Sequence, residues 1–155
     1  MKTILSVTGL SILLVITGFF TWELFFQFSM DQLEGVKIQV TEINSEIRLK
    51  WMFSVALGIV PWLCFGVLKT LALKDNKQVF FAAASIVISG IIFWQYKLYS
   101  LKTRYEEISS VPSPFPVEYR FALENLNLEV YLFFGFLLGA IIGAIALYRS
   151  SKRQF

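Results

Sequence analysis

Carboxylates are the residues of this chain whose spacing could support chemistry. Glu42 and Glu46 stand four apart, Glu106 and Glu107 are adjacent, and Glu118, Glu124 and Glu129 follow in one stretch. Two carboxyl groups brought together can pass a proton or hold a hard cation. Arg48, Lys50, Arg104 and Arg120 are interleaved with them, however, and ordinary ion pairs account for the same residues. Glu23 stands apart, one residue beyond Trp22, with Gln27 a turn further on. A carboxylate at that level requires a polar partner, and Lys50 and Lys97 are the candidates. The chain has no histidine, which excludes His-ligated metal or haem, a histidine base and a Ser-His-Asp arrangement. Its single cysteine, Cys64, excludes an intrachain disulfide and a CxxC redox pair. No HExxH motif or phosphate-binding loop is present. We therefore expect no catalytic residue, no cofactor and no metal, and read Glu23, Glu42, Glu46, Glu118, Arg120 and Glu124 as polar or partner-facing positions.

The elements that would position these residues follow from composition. The chain has 155 residues, 56% hydrophobic and only 16% charged, too little polar surface to enclose a water-soluble core. Apolar runs at 4–22, 51–68, 79–94 and 131–148 contain no Lys, Arg, Asp or Glu. Each is close to the ~20 residues that cross a ~30 Å hydrocarbon layer. Their apolarity runs all the way round, as lipid requires and a soluble core does not. Trp22, Trp51, Trp94 and Tyr131 fall at one end of their spans, so helices alternating in direction bring all four to one interface as anchors. The first run is too long for a signal-peptide core, and 18–23 offers no small-residue cleavage site, so it reads as an uncleaved helix.

Orientation follows from Lys and Arg. Seven of the fourteen basic residues fall in the short segments 1–3, 69–78 and 149–155, whereas ten of the eleven acidic residues fall in 23–50 and 95–130. The positive-inside rule then puts both termini in the cytoplasm, in what would be a bacterial inner membrane. The basic residues are short flanks without interleaved aromatics, which gives no footprint for nucleic acid.

The two long segments carry helical spacing. Leu33, Val36, Val40, Ile43, Ile47 and Trp51 form one series of gaps of three and four, and Ile91, Trp94, Leu98, Leu101, Tyr105 and Ile108 form another. This periodicity predicts that the second and third helices continue outward as stalks over 36–51 and 94–108, with 31–35 as a turn; the alternative is that 33–47 lies flat on the membrane. Pro112, Pro114 and Pro116 break the chain, and Pro116 can open a fourth helix running through Glu118 to Tyr148. The expected fold is all-α: one four-helix membrane domain over 1–155, an up-down antiparallel bundle with helices 2, 3 and 4 extended beyond the outer face.

Small residues mark where such helices would touch. Gly135, Gly139 and Gly143 recur every four residues, and Ser85, Ser89 and Gly58 are the small positions that would face them or their neighbours. Pro61 lies inside the second span and can kink it. No ionisable residue lies within a span, which argues against proton relays and charged-substrate carriers. In size and layout the chain is similar to four-span immunity proteins that block pore-forming bacteriocins. The segment 120–129 resembles, with different spacing and position, the Arg-Asn-Glu signature of the small four-span glutathione-transferase and leukotriene-synthesis membrane proteins. The expected function is non-catalytic: binding to other membrane proteins, as an accessory or assembly subunit or an immunity-type inhibitor, with lipid around it. A homo-oligomeric pore along the glycine row, and an envelope or lipid enzyme using the outer carboxylates, are the alternatives.

The orientation has a direct check. In a Cys64→Ala background, Asn125→Cys should react with a membrane-impermeant maleimide in intact cells and Lys77→Cys only after permeabilisation; the reverse pattern inverts the topology.

Overall fold

The computed structural model describes residues 2–33, 35–39, 44–71, 76–110 and 120–152, the side chains of residues 2, 124 and 150–152 excepted. Helix α1 (Lys2–Gln32) is followed by strand β1 (Ile38–Gln39), α2 (Ser45–Gly58), α3 (Val60–Thr70) and α4 (Asn76–Ser109). Strand β2 (Phe121–Ala122), a single 3-10 turn (Leu123–Asn125) and α5 (Leu128–Lys152) complete the chain. Four stretches are long and apolar enough to cross a membrane: Thr3–Gln32, Ser45–Thr70, Asn76–Ser109 and Leu128–Arg149. Together with the composition they identify an integral membrane protein. Helices α2 and α3 form one of these stretches, interrupted at Ile59. Pro61 has no N–H to give to the turn before it, while Ile59 N–H to Val55 O (3.1 Å) and Leu63 N–H to Ile59 O (3.0 Å) carry the helix across.

Between helices in lipid there is little hydrophobic gain, so contact depends on how closely backbones approach. The α4–α5 pair is the tightest. A Cβ built on Gly139 would lie 2.6 Å from Ser85 O and 2.7 Å from Ile86 Cα. One built on Gly135 would lie 2.7 Å from both Gly90 Cα and Ser89 O. Ser85 Oγ also donates to Gly139 O at 2.9 Å, a hydrogen bond made across the contact that the missing side chain opens. Gly143 is less demanding, because a Cβ there would meet Ser85 only at ordinary contact distance. On the other side of the molecule α1 packs on α2, with Gly18 against the Ser54 backbone and Gly58 against Val15 and Ser11.

At the end of the molecule where β1 and β2 lie, the pairs are joined by aromatic rings and a small polar link. Phe25 of α1 stacks on Phe53 of α2 with centroids 4.4 Å apart and tilts against Trp94 of α4 at 5.3 Å. Trp94 Nε1 donates to the buried Ser29 Oγ at 3.1 Å, and that hydroxyl donates to Phe25 O. Strands β1 and β2 pair in parallel, Ile38 with Phe121 and Gln39 with Ala122. Beneath this ladder Leu33, Leu98, Leu101, Leu123, Leu126 and Leu128 are buried together with the helix core.

Two sequence expectations are corrected here. The stalk expected over 36–51 is not continuous helix: Gly35 adopts φ +88, Ile38–Gln39 is extended, and α2 begins only at Ser45. Leu33 and Val36 are apolar because they tuck inward from a turn, and a spacing of three does not distinguish that from a helix face. The fourth helix does not run in from Pro116 to Tyr148, since 120–127 form a strand, a 3-10 turn and a left-handed Asn127, and α5 starts at Leu128. The first helix runs past the apolar span 4–22 to Gln32, at the turn expected over 31–35, because Phe25, Phe26, Ser29 and Met30 give its last turns an inward face. The expectation over 94–108 agrees with α4, which runs to Ser109. The proline-rich break at 111–116 and residues 74–75 of the inner turn lie outside the described residues.

The glycine contacts predict an asymmetric response. Gly139→Val should lower thermal stability in detergent by about 1–3 kcal/mol or more, since its new atoms meet the Ser85 and Ile86 backbone and the Ser89 side chain. Gly66→Ala, with nothing within 4 Å, should leave stability unchanged or raise it by up to about 1 kcal/mol.

Candidate functional site

The charged residues near the β1–β2 end are organised by Lys50. Its Nζ lies 2.8 Å from Glu23 Oε1 and 3.3 Å from Glu46 Oε1, the latter one helical turn away on α2, and 5.4 Å from the centroid of the Trp22 ring. Glu23 therefore takes Lys50 as its partner, while Lys97 lies over the Tyr131 ring at 4.8 Å. Both carboxylates on Lys50 are largely exposed, so solvent screening leaves each pair worth little to the stability of the fold. The cluster orients Trp22 more than it stabilises the fold.

Trp22 and Trp94 are not at the protein surface, as interface anchors would be. Trp22 is 2% exposed and stacks on Phe26 at 4.9 Å, and Trp94 is enclosed by Phe25, Phe28 and Ser29. An indole in a folded α1–α2–α4 contact buries more apolar area than one spread at a headgroup layer. Trp51 does face outward, and Tyr131 is half-buried under Lys97.

Behind Trp22 lies Glu129, a residue that sequence reasoning left among the acids of its stretch. Its position is set locally. Leu126 N–H bonds to Leu123 O to close the 3-10 turn, and Asn127 takes φ 52, a left-handed conformation that asparagine tolerates. Asn127 O then accepts the Tyr131 N–H at 3.2 Å. Glu129 thus falls in the first turn of α5, where the helix dipole favours a carboxylate. It is only 3% exposed. Its own backbone N–H and the Trp22 indole face its carboxyl, and the Arg48 charge acts on it. Even so, Glu129 Oε2 and Trp22 Nε1 are both buried without a hydrogen bond that meets distance and angle. With Ser11 Oγ they are the unsatisfied buried side-chain atoms among the described residues.

Glu129 also borders a cleft of about 330 Å³ between α2 and α5, walled by Trp51, Met52, Val55, Ala56, Val130 and Phe133. Every wall residue except Glu129 is apolar. The periodicity of α2 places Met52, Val55 and Ala56 toward the cleft, and the first turns of α5 supply Val130 and Phe133. No sequence signal marked this site, because a single glutamate after a leucine in a short apolar run looks like any helix start.

A second feature lies on α4 beyond Trp94. Tyr96, Tyr99, Ser100, Thr103, Arg104 and Glu107 line a shallow groove, and Tyr96 and Tyr99 are 61% and 72% exposed.

The remaining expected positions are placed as follows. Gly135, Gly139, Gly143, Ser85 and Ser89 lie at the α4–α5 contact and Gly58 at the α1 contact. Glu46 is on Lys50, Arg120 is exposed beside β2, and Glu124 belongs to the 3-10 turn. Glu42 and Glu118 lie outside the described residues. Among the described residues no three acidic, histidine or cysteine side chains come together in a way that could hold a metal ion. Comparison with protein-family models, curated proteins and solved structures yields no match for this chain.

A buried acceptor without a partner is a cost the fold could avoid. Glu129→Leu should therefore keep the fold and raise its stability by about 1–2 kcal/mol in detergent, read as a higher unfolding temperature. A fall in stability would mean that the carboxyl is a structural support for α5.

Proposed function

We propose that this protein acts by binding other membrane proteins and not by catalysis, as an accessory or assembly subunit of a larger complex or as an immunity-type inhibitor. The observation that carries this reading is the α4 groove. Two tyrosines, an arginine and a glutamate stand exposed on one helix face. Tyrosine and arginine are enriched at the centres of protein interfaces because they combine large contact area with a polar end. Tyr96 lies only two residues past Trp94, so the groove is at the level where a partner's membrane helix emerges from lipid.

In this reading the four spans form an up-down antiparallel bundle with both termini in the cytoplasm of a bacterial cell, and the β1–β2 end faces outward. The Lys and Arg asymmetry supports that direction. The pore alternative loses its motive, since Gly135 and Gly139 are occupied by α4 within one chain. Of the outer carboxylates that the enzyme alternative would use, Glu46 is engaged on Lys50.

Extraction of the native particle followed by mass measurement tests the proposal. Foreign subunits at fixed stoichiometry, cross-linked from a photoreactive residue at position 99 and lost in Tyr99→Glu with the unfolding temperature unchanged, are expected. A particle of this chain alone, or one whose composition ignores Tyr99→Glu, overturns it.

A further inference from the structure

The α4 groove carries charge that the described chain does not match. Lys97 and Arg104 stand seven residues apart, about two helical turns, on one side of α4, and the Arg104 charge acts on the Lys97 ammonium. Neither cation forms an ion pair among the described residues, whereas Lys50 holds two carboxylates. Lys97 is half-buried over the Tyr131 ring, so part of its hydration is already lost. Arg104 lines the groove with Ser100 and Thr103, and the carboxylate there, Glu107, stands at the end farther from the apolar run 79–94. Two like charges on one edge of a groove are complemented by anions supplied from outside the chain.

The sources of such anions differ in reach. Arg104 lies ten residues past the run 79–94, about 15 Å along the helix axis. Even a side chain leaning back toward the helix N-terminus leaves its guanidinium above a headgroup layer about 5–8 Å deep, so a lipid phosphate serves Lys97 alone. A second copy of this chain, related by a two-fold axis along the membrane normal, would set Lys97 and Arg104 level with their own copies, like charge against like. A different membrane protein meets neither objection, because carboxylates just beyond its span lie level with both cations.

The form of the face fits a helix. Ile88, Ile92, Tyr96, Ser100, Thr103 and Glu107 follow at gaps of four, four, four, three and four, so one face runs from the span into the groove. Ile88 and Ile92 are exposed along it. Above them the small Ser100 and Thr103 lie among Tyr96, Tyr99 and Arg104, a hole of the kind that receives a side chain of a facing helix.

We infer that this face of α4 binds a membrane helix of a different protein through carboxylates, Asp or Glu on the turns just past that helix's span, level with Lys97 and Arg104. The inference rests on the partner-binding reading above and gives the partner its chemistry.

The test uses the native particle carrying the full chain, treated with a carbodiimide, which joins an amine to a carboxylate as an amide. Arg104→Lys keeps the charge and supplies an amine, so it should gain an amide link to an Asp or Glu of a foreign chain, located by mass spectrometry of the digest. Arg104→Glu should lower the foreign subunit recovered with the particle by about ten-fold or more, with the unfolding temperature of this chain unchanged. Links only to Glu107, or only between two copies of this chain, overturn the inference, as does an anionic lipid that is lost in Arg104→Glu while the foreign subunit stays. A foreign subunit that ignores Arg104→Glu but is lost in Tyr99→Glu overturns this inference and leaves the partner-binding reading standing. A particle of this chain alone overturns both.

Discussion

The close backbone contact of α4 and α5 is the constraint on which the other features rest. Burying leucine between two helices already surrounded by lipid gains little, so the pair must be held by van der Waals contact over small residues and by hydrogen bonds across them. Gly135 and Gly139 permit that approach against Ser85, Ile86, Ser89 and Gly90, and the Ser85 hydroxyl uses it to reach Gly139 O. With α5 seated there, its first turn is carried up beside α1 and α2. Leu128 and Leu132 are then buried on one side and Glu129 is placed behind Trp22. A looser pair would let this first turn drift, and with it the wall of the cleft.

The β1–β2 end has a different physics. Here a small apolar layer of leucines is buried near a parallel two-residue ladder. The ladder ties the segment after α1 to the segment before α5, which are distant in sequence. It also accounts for the length of α1. Its last turns are needed to bring Ser29 to Trp94 and Leu33 beneath the strands. The aromatic rings of Phe25, Phe53 and Trp94 join the α1–α2 pair to α4 at the level where the two kinds of packing meet.

Polar groups divide into those the fold has satisfied and those it has not. Lys50 gathers Glu23 and Glu46, and Trp94 gathers Ser29. Glu129 Oε2 and the Trp22 indole remain without a hydrogen bond, and Glu129 borders an apolar cleft. It is this contrast, within a few residues of one another, that separates the cleft from the ordinary charged surface around it.

Several features were legible in the sequence because they depend on composition within one element. The uncharged runs, their number and their length are dictated by the thickness of a hydrocarbon layer, and the long α4 by an unbroken three-four spacing. Glu23 needed a partner, and Lys50 was one of two candidates by sequence level alone. The true starts of α2 and α5 were not legible. Leu33, Val36 and Leu126 are apolar for a layer built from segments far apart in the chain, and local spacing does not reveal which segments meet. The same holds for Glu129 and for Trp22. Their residue types are unremarked in sequence, and only the packing of α5 against α1 and α2 removed them from water and left them facing each other. Sequence determined what must lie in lipid; the tertiary structure decided which polar atoms go without a partner, because that depends on through-space neighbours.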